Sequence, residues 1–199
     1  DPQAILKLPY KRNYIPDDTL REQVATHFSA LLGEHAKNIL PLLPEKIPSF
    51  GKLRILQGDS IRSASTCGNG STAERNVFLF SKYEIETRPT VTANWVAKIC
   101  YGRLERVLEC SLPDSKELGS LAGKQRLLAV ISPCKRTAGK DAALKIVTYS
   151  GLADPIVTDL QAIVAVVGRV ETRGRWYLVD RTGELIRPEF LQDEEEEGN

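Results

Sequence analysis

From residue 51 onward, apolar side chains recur at every second position or in short unbroken runs, and this pattern limits the chain to a fold built mainly from strands. Residues 94–112 form the longest such stretch. Its apolar phase changes after Gly102, which predicts a β-bulge at that glycine and a bend in the strand. Residues 127–131 and 163–167 are continuous apolar runs, typical of strands buried on both faces. Strand–helix alternation and internal repeats are missing, so we expect a curved antiparallel sheet, closed into a barrel or partly open.

Helical periodicity occurs only before residue 51. Thr19 and Glu22 have the spacing of a capping box, and Gly33 is suited to end the helix that follows. Between them one apolar face recurs at helical spacing, made of Leu20, Val24, Phe28, Leu31 and Leu32. A second short helix over residues 34–40 would end at the prolines that follow. The sequence therefore predicts a helical hairpin over residues 17–43, packed against the sheet, and an α+β fold class.

Charge divides the chain unevenly. The net charge is +1, but residues 193–197 alone carry −5. With 27 basic and 21 acidic residues outside that block, residues 1–192 carry a net charge of +6. An acidic block of this kind stays solvated, as a linker or as a screen for a basic face. We predict an extended lead-in and helical hairpin over residues 1–50, a barrel-like domain over 51–191 and a disordered acidic tail over 192–199.

Composition also bears on the class of protein. No apolar run approaches the ~20 residues that span a bilayer, and no secretory signal is visible, so we expect no membrane partner. The chain has no Met and begins Asp1-Pro2, which predicts a piece of a longer protein. Its four cysteines lack the spacing of a zinc site, and we expect them to be reduced.

Catalytic constellations are weak. His27 and His35 both fall in the helical segment, away from any candidate nucleophile, which favours a packing role. Asp59, Asp159 and Asp180 lie at strand ends and could bind Mg²⁺ in a metal-dependent nuclease, but their sequence contexts favour roles in turns and ion pairs. No phosphate-binding glycine loop is present. We therefore expect no catalysis, no metal and no cofactor, with the nuclease kept as an alternative.

Arginines interleaved with aromatic residues are the most informative feature. They form two groups, the first made of Arg169, Arg173, Arg175 and Trp176, the second of Tyr101, Arg103 and Arg106. Arginines neutralise phosphates and aromatic rings stack on bases, so this combination predicts a nucleic-acid-binding surface. Two other interpretations remain open. The arginines could form ion pairs on solvated strands, or the rings could form a cage for a methylated lysine.

Short segments of the chain resemble a known family. They are GKLR at residues 51–54, GDSIR at 58–62, ICYGRLER at 99–106, DLQ at 159–161, VGR at 167–169 and VDR at 179–181. Together they resemble the C-terminal β-rich region of large fungal transposase-like proteins of the Kyakuja–Dileera–Zisupton type, over about residues 50–190. Residues 101–107 and 166–169 are also loosely similar to the barrel of BAH chromatin modules.

The resemblance implies a nuclear, transposon-derived accessory domain, with the nuclease core elsewhere in a longer protein. Our leading expectation is a non-catalytic module that binds DNA or chromatin. The alternative to binding DNA is protein interaction or dimerisation through the helix face that carries Leu20, Val24, Phe28 and Leu31. In that case the helix would dock on a partner instead of on its own sheet.

Overall fold

The computed structural model describes residues 4–55, 59–67, 79–87, 96–135 and 146–180. Within these ranges, the helices are α1 (Asp18–Leu32) and the single turn α2 (Ala36–Ile39). The strands are β1 (Ala4–Lys11), β2 (Ser49–Ile55), β3 (Ser60–Arg62), β4 (Phe80–Thr87), β5 (Val96–Ser111), β6 (Gln125–Lys135), β7 (Ile146–Tyr149), β8 (Gly151–Leu152), β9 (Ile156–Asp159), β10 (Ile163–Thr172) and β11 (Arg175–Val179). Short 3₁₀ helices occur at Leu40–Leu42, Ala64–Thr66, Lys116–Leu121 and Leu160–Ala162.

All of these strands join one antiparallel sheet. Its main path runs β1-β2-β5-β4-β10-β11-β7, with β3 beside β2, and with β6 beside β5, β8 and β9. The long strand β5 is one of the branch points, since it pairs with β4, β2 and β6. Over the described ranges the sheet does not close, so the closed form of the expected barrel is wrong. The α+β class with antiparallel strands is confirmed.

Helix α1 begins where the sequence indicates but is capped by a different residue. The side chain of Asp17 accepts a hydrogen bond from the backbone N–H of Leu20 at 2.8 Å, so Asp17 is the N-cap. Thr19 lies inside the helix, and the capping box predicted from it is wrong. Gly33 ends the helix with φ 70°, and its N–H donates to the carbonyl of Ser29.

One face of α1 packs on the sheet. Val24 and Phe28 are fully buried and Leu20 nearly so, in a first cluster that includes Leu108 of β5 and Leu128 of β6. The helix and the sheet thus share a core across the boundary predicted near residue 50. The predicted apolar face is correct at these three positions and at Leu32, which is partly buried against the same cluster. It is wrong at Leu31, which is 55% exposed in the last turn of the helix.

Strand β5 bends, but not at the predicted glycine. Its register with β6 shifts between Leu104 and Arg106, which places the extra residue at Glu105. Gly102 is required for a different reason, a close approach between strands. A Cβ atom there would lie 2.4 Å from Cγ2 of Ile131 and 2.9 Å from the carbonyl oxygen of Ser132. A bulge is therefore present in β5 as predicted, but it lies three residues after Gly102.

Two further clusters complete the core. The second lies on the face of β5 opposite α1 and includes Leu53, Leu104 and Val107. The third lies between β4, β7, β10 and β11 and consists of Leu79, Phe80, Tyr149, Val167 and Leu178. Strand β5 contributes to the first two clusters and, through Tyr101, packs against the third.

Candidate nucleic-acid interface

Strands β10 and β11 form the hairpin predicted from the sequence. Thr172 pairs with Arg175, and the two residues between them, Arg173 and Gly174, have φ angles of 51° and 69°. Positive φ at both central residues gives the turn the twist that a two-residue hairpin needs. Arg173 and Arg175 are exposed at its tip.

Arg169, on the same hairpin, lies among aromatic rings instead of extending into solvent. Its guanidinium carbon is 4.1 Å from the ring centroid of Trp176 and 4.9 Å from that of Phe80. Tyr149 stacks on Trp176 with centroids 6.5 Å apart and lies 5.7 Å from Phe80. We call the rings of Phe80, Tyr149 and Trp176 the aromatic box. The ring faces that were predicted to stack on bases are therefore already in contact with an arginine of the same chain.

Burial favours the neutral form of two ionisable groups at the aromatic box. Burial raises the pKa of the Cys134 thiol to about 12, against the opposing charge of Arg169. Burial also raises the pKa of the Tyr149 hydroxyl, while a hydrogen bond with Arg169 and the charges of Arg169 and Arg103 oppose the shift. Burial therefore disfavours the charged thiolate and phenolate forms of these two groups.

Tyr101 belongs to a second contact. Its hydroxyl donates a hydrogen bond to Oδ2 of Asp180 at 2.9 Å, and Nζ of Lys82 lies 3.0 Å from the same oxygen. Burial, followed by the hydrogen bond to Asp180, raises the pKa of Tyr101. This arrangement gives Asp180 a structural role as the partner of two side chains. Its interpretation as an ion-pair residue fits the geometry better than metal binding does.

The two remaining predicted arginines, on β5, also make contacts within the chain. Nε of Arg103 lies 2.8 Å from Oε1 of Glu105, the residue at the bulge. The guanidinium carbon of Arg106 lies 4.1 Å above the ring of Tyr14, beside the first cluster.

The structure thus brings Arg169 and Trp176 into contact and leaves Arg106 in a different environment, against Tyr14. Tyr101, Arg103 and Arg106 each contact a side chain of the chain itself, and Arg173 and Arg175 are exposed at the hairpin tip. Nucleic-acid binding by these seven residues stays a prediction. The aromatic box has the convergent rings that a methyl-lysine cage needs, but Arg169 occupies them.

Histidine and carboxylate chemistry finds little support in the ranges described. His27 is largely buried in α1 and its Nε2 atom has no hydrogen-bond partner there. Burial lowers its pKa. Asp159 caps the 3₁₀ helix Leu160–Ala162 through the N–H of Gln161. Among the residues described, no three His, Cys, Asp or Glu side chains gather as a metal site.

A second basic surface, which was not predicted from the sequence, lies on strands β1, β2 and β3. The cross-strand register places Lys7 opposite Lys52, and Lys52 opposite Arg62. These three cations therefore form a row across three adjacent strands, on one face of the sheet. Tyr10 lies opposite Phe50, two residues before Lys52 and so on the same face. We call these five residues the basic strand face.

Basic residues outnumber acidic ones on the three strands of this surface. Strands β1, β2 and β3 contain five Lys or Arg residues and no Asp or Glu. Within the described part of the chain, no ion pair involves Lys7, Lys52 or Arg62. In the sequence these strands are separate segments that contain Lys or Arg but no Asp or Glu. Only their pairing in the sheet joins them into one basic surface.

The basic strand face lines a groove of about 660 Å³. Its walls carry both the cationic row and the ring pair, together with Leu6 and Leu8. The Tyr10 and Phe50 rings have centroids 4.7 Å apart and planes inclined by 36°. Tyr10 is 41% exposed and Leu8 78%. Chemically, the groove offers positive charge beside accessible ring surface, the combination that binds polyanions carrying flat aromatic groups.

The helix face predicted to dock on a partner is used inside the molecule, since Leu20, Val24 and Phe28 belong to the first cluster. No helix in the described ranges is long and apolar enough to cross a bilayer. Comparison of the chain with protein-family models, with curated proteins and with solved structures finds no match. The resemblance to transposase-like proteins and to BAH modules therefore stays a prediction.

Proposed function

We propose that this chain is a non-catalytic module that binds nucleic acid through the basic strand face. The observation that carries the proposal is the row formed by Lys7, Lys52 and Arg62, with no acidic residue on the three strands that present it. Positive charge that is not paired with carboxylates is available to phosphates, and phosphate contacts supply most of the affinity of nonspecific nucleic-acid binding.

The arginine and aromatic residues of β5, β10 and β11 support binding less directly. Arg103 and Arg169 contact Glu105 and Trp176, so engaging a phosphate would cost them those contacts. Arg173 and Arg175 are exposed at the hairpin tip and are retained as a second phosphate-contacting group.

The biological setting rests on the resemblance alone. It is that of an accessory domain of a nuclear, transposase-like protein acting on DNA or chromatin. We also propose that the sheet is a partly open barrel with a helical hairpin packed on it. Strand β1 is the first strand of the main path, so β1, β2 and β3 lie at one end of the sheet.

A salt titration tests the function. Affinity for labelled DNA is measured by fluorescence anisotropy across a range of salt concentrations. Three phosphate contacts predict a slope of log K against log salt of about −2 to −3. The triple variant Lys7→Gln, Lys52→Gln and Arg62→Gln should remove most of that slope and of the affinity at low salt.

Two variants serve as matched controls. Lys37→Gln, Lys116→Gln and Lys124→Gln change the net charge equally, at exposed positions beside the helical layer, and should leave affinity nearly unchanged. Arg173→Gln with Arg175→Gln measures the contribution of the hairpin tip. Equal losses in the two triple variants would show that only total charge matters, and absence of binding at low salt would end the proposal.

A further inference from the structure

We propose that the ligand of the basic strand face is a single-stranded nucleic acid, bound with one or two bases stacked on the ring pair of Tyr10 and Phe50. This inference rests on the proposed function and narrows its substrate class. Single strands expose both a phosphate backbone and the flat faces of their bases, and the groove presents a partner for each of these features.

The position of the ring pair carries the argument. Tyr10 and Phe50 pair across β1 and β2 in the register immediately next to Lys7 and Lys52. Adjacent strands are about 4.8 Å apart, so the row from Lys7 to Arg62 spans about 10 Å. A backbone that follows this row has its bases within reach of the rings. Tyr10 is 41% exposed, so a base can contact it without unfolding the edge of the sheet.

The chain holds the ring pair in place through the residue before Tyr10. Pro9 packs on the backbone of Gly51. A Cβ atom on Gly51 would lie 2.7 Å from Cδ of Pro9 and 2.2 Å from Cγ2 of Thr66, so only glycine fits there. The register of β1 shifts between Lys7 and Tyr10, which brings Tyr10 opposite Phe50. A surface fixed in this way loses little conformational entropy when a base stacks on it.

Duplex DNA fits this surface less well. Its bases are already stacked on one another, so the ring pair has no base face to contact, and only the cations would contribute. An acidic peptide would use the cations but has no planar ring at each residue. The presence of rings beside the cationic row therefore favours a single strand over both.

The test compares ligands that differ only in their bases. Anisotropy is measured with a short oligothymidine, the matching oligouridine, a duplex of the same length, and a base-free phosphodiester strand of the same length. Wild-type protein should bind both base-carrying strands at least about tenfold more tightly than the base-free strand, because stacking contributes to affinity and backbone charge is equal. It should also prefer them to the duplex.

Variants at Tyr10 then locate the effect. Tyr10→Leu should bring the affinity for oligothymidine close to that for the base-free strand without changing the salt slope, whereas Tyr10→Phe should retain the preference. Thermal melting checks that both variants fold, and the ligand comparison on the wild-type protein needs no variant at all.

The results that would overturn the single-strand inference differ from those that would overturn the proposed function. Equal affinity for base-free and base-carrying strands, or tighter binding of the duplex, would overturn the single-strand inference. If the triple variant of Lys7, Lys52 and Arg62 still weakened binding in that case, the proposed function would stand. Absence of binding to every ligand at low salt would overturn both.

Discussion

Replacing Lys82 with methionine removes the ammonium that faces the buried carboxylate of Asp180. Nζ and Oδ2 are 3.0 Å apart, and the two side chains are 16% and 7% exposed. At an effective dielectric constant of ~20 their attraction is about 5 kcal/mol, which the loss of hydration of two charges largely offsets. Removing Lys82 alone keeps the desolvation cost of Asp180 and loses the attraction. We therefore expect Lys82→Met to lower the free energy of unfolding by about 3–5 kcal/mol.

Thermal denaturation followed by circular dichroism measures this loss as a fall in Tm of about 6–20 °C. The control is Arg126→Met, which breaks a pair with Asp159 at 3.9 Å whose side chains are 36% and 33% exposed. That pair is solvated, and its loss should cost less than about 1 kcal/mol.

A double variant sharpens the test. Adding Asp180→Asn to Lys82→Met removes the buried carboxylate charge but keeps an acceptor for the hydroxyl of Tyr101. The double variant should be more stable than Lys82→Met alone. The reasoning fails if the double variant is the less stable of the two, or if Lys82→Met costs no more than Arg126→Met.

Three further outcomes follow from burial. Burial lowers the pKa of His27, so the unfolded chain binds a proton more readily than the folded chain does. The free energy of unfolding, measured by urea titration, should therefore fall as the pH drops through 6.5, and His27→Gln should reduce that fall. Phe28→Ala should cost about 3–5 kcal/mol, whereas Leu31→Ala, at an exposed site of the same helix, should change the stability by less than about 0.5 kcal/mol. Gly102→Ala should cost about 1–3 kcal/mol through overpacking, while Gly151→Ala, with no atom within 4 Å of the added Cβ, should be tolerated.

Elements with strong local periodicity were predictable from the sequence. Helix α1, the β10–β11 hairpin and the long strand β5 all follow from the spacing of apolar residues and from Gly33 and Gly174. The bulge was predicted at the wrong residue because a glycine within a strand is typical both of a bulge and of a close approach between neighbouring strands. Only the position of the neighbouring strand tells these two apart.

Neither of the two basic regions could be read fully from the sequence. Arg169 and Trp176 were predicted to lie together, but Phe80 and Tyr149 come from other strands and turn the expected open surface into the aromatic box. Lys7 is distant in sequence from Lys52 and Arg62, and only the register of three strands places them in a row.

Strand β5 has a consequence for how the molecule comes apart. Leu108 and Cys110 face the helix, Leu104 and Val107 face the opposite side of the sheet, and Tyr101 reaches the third cluster. Losing this one strand would open all three apolar regions to water at once. Heating should therefore produce a single all-or-none transition, with the near-ultraviolet signal of the aromatic side chains and the far-ultraviolet signal of the backbone disappearing together.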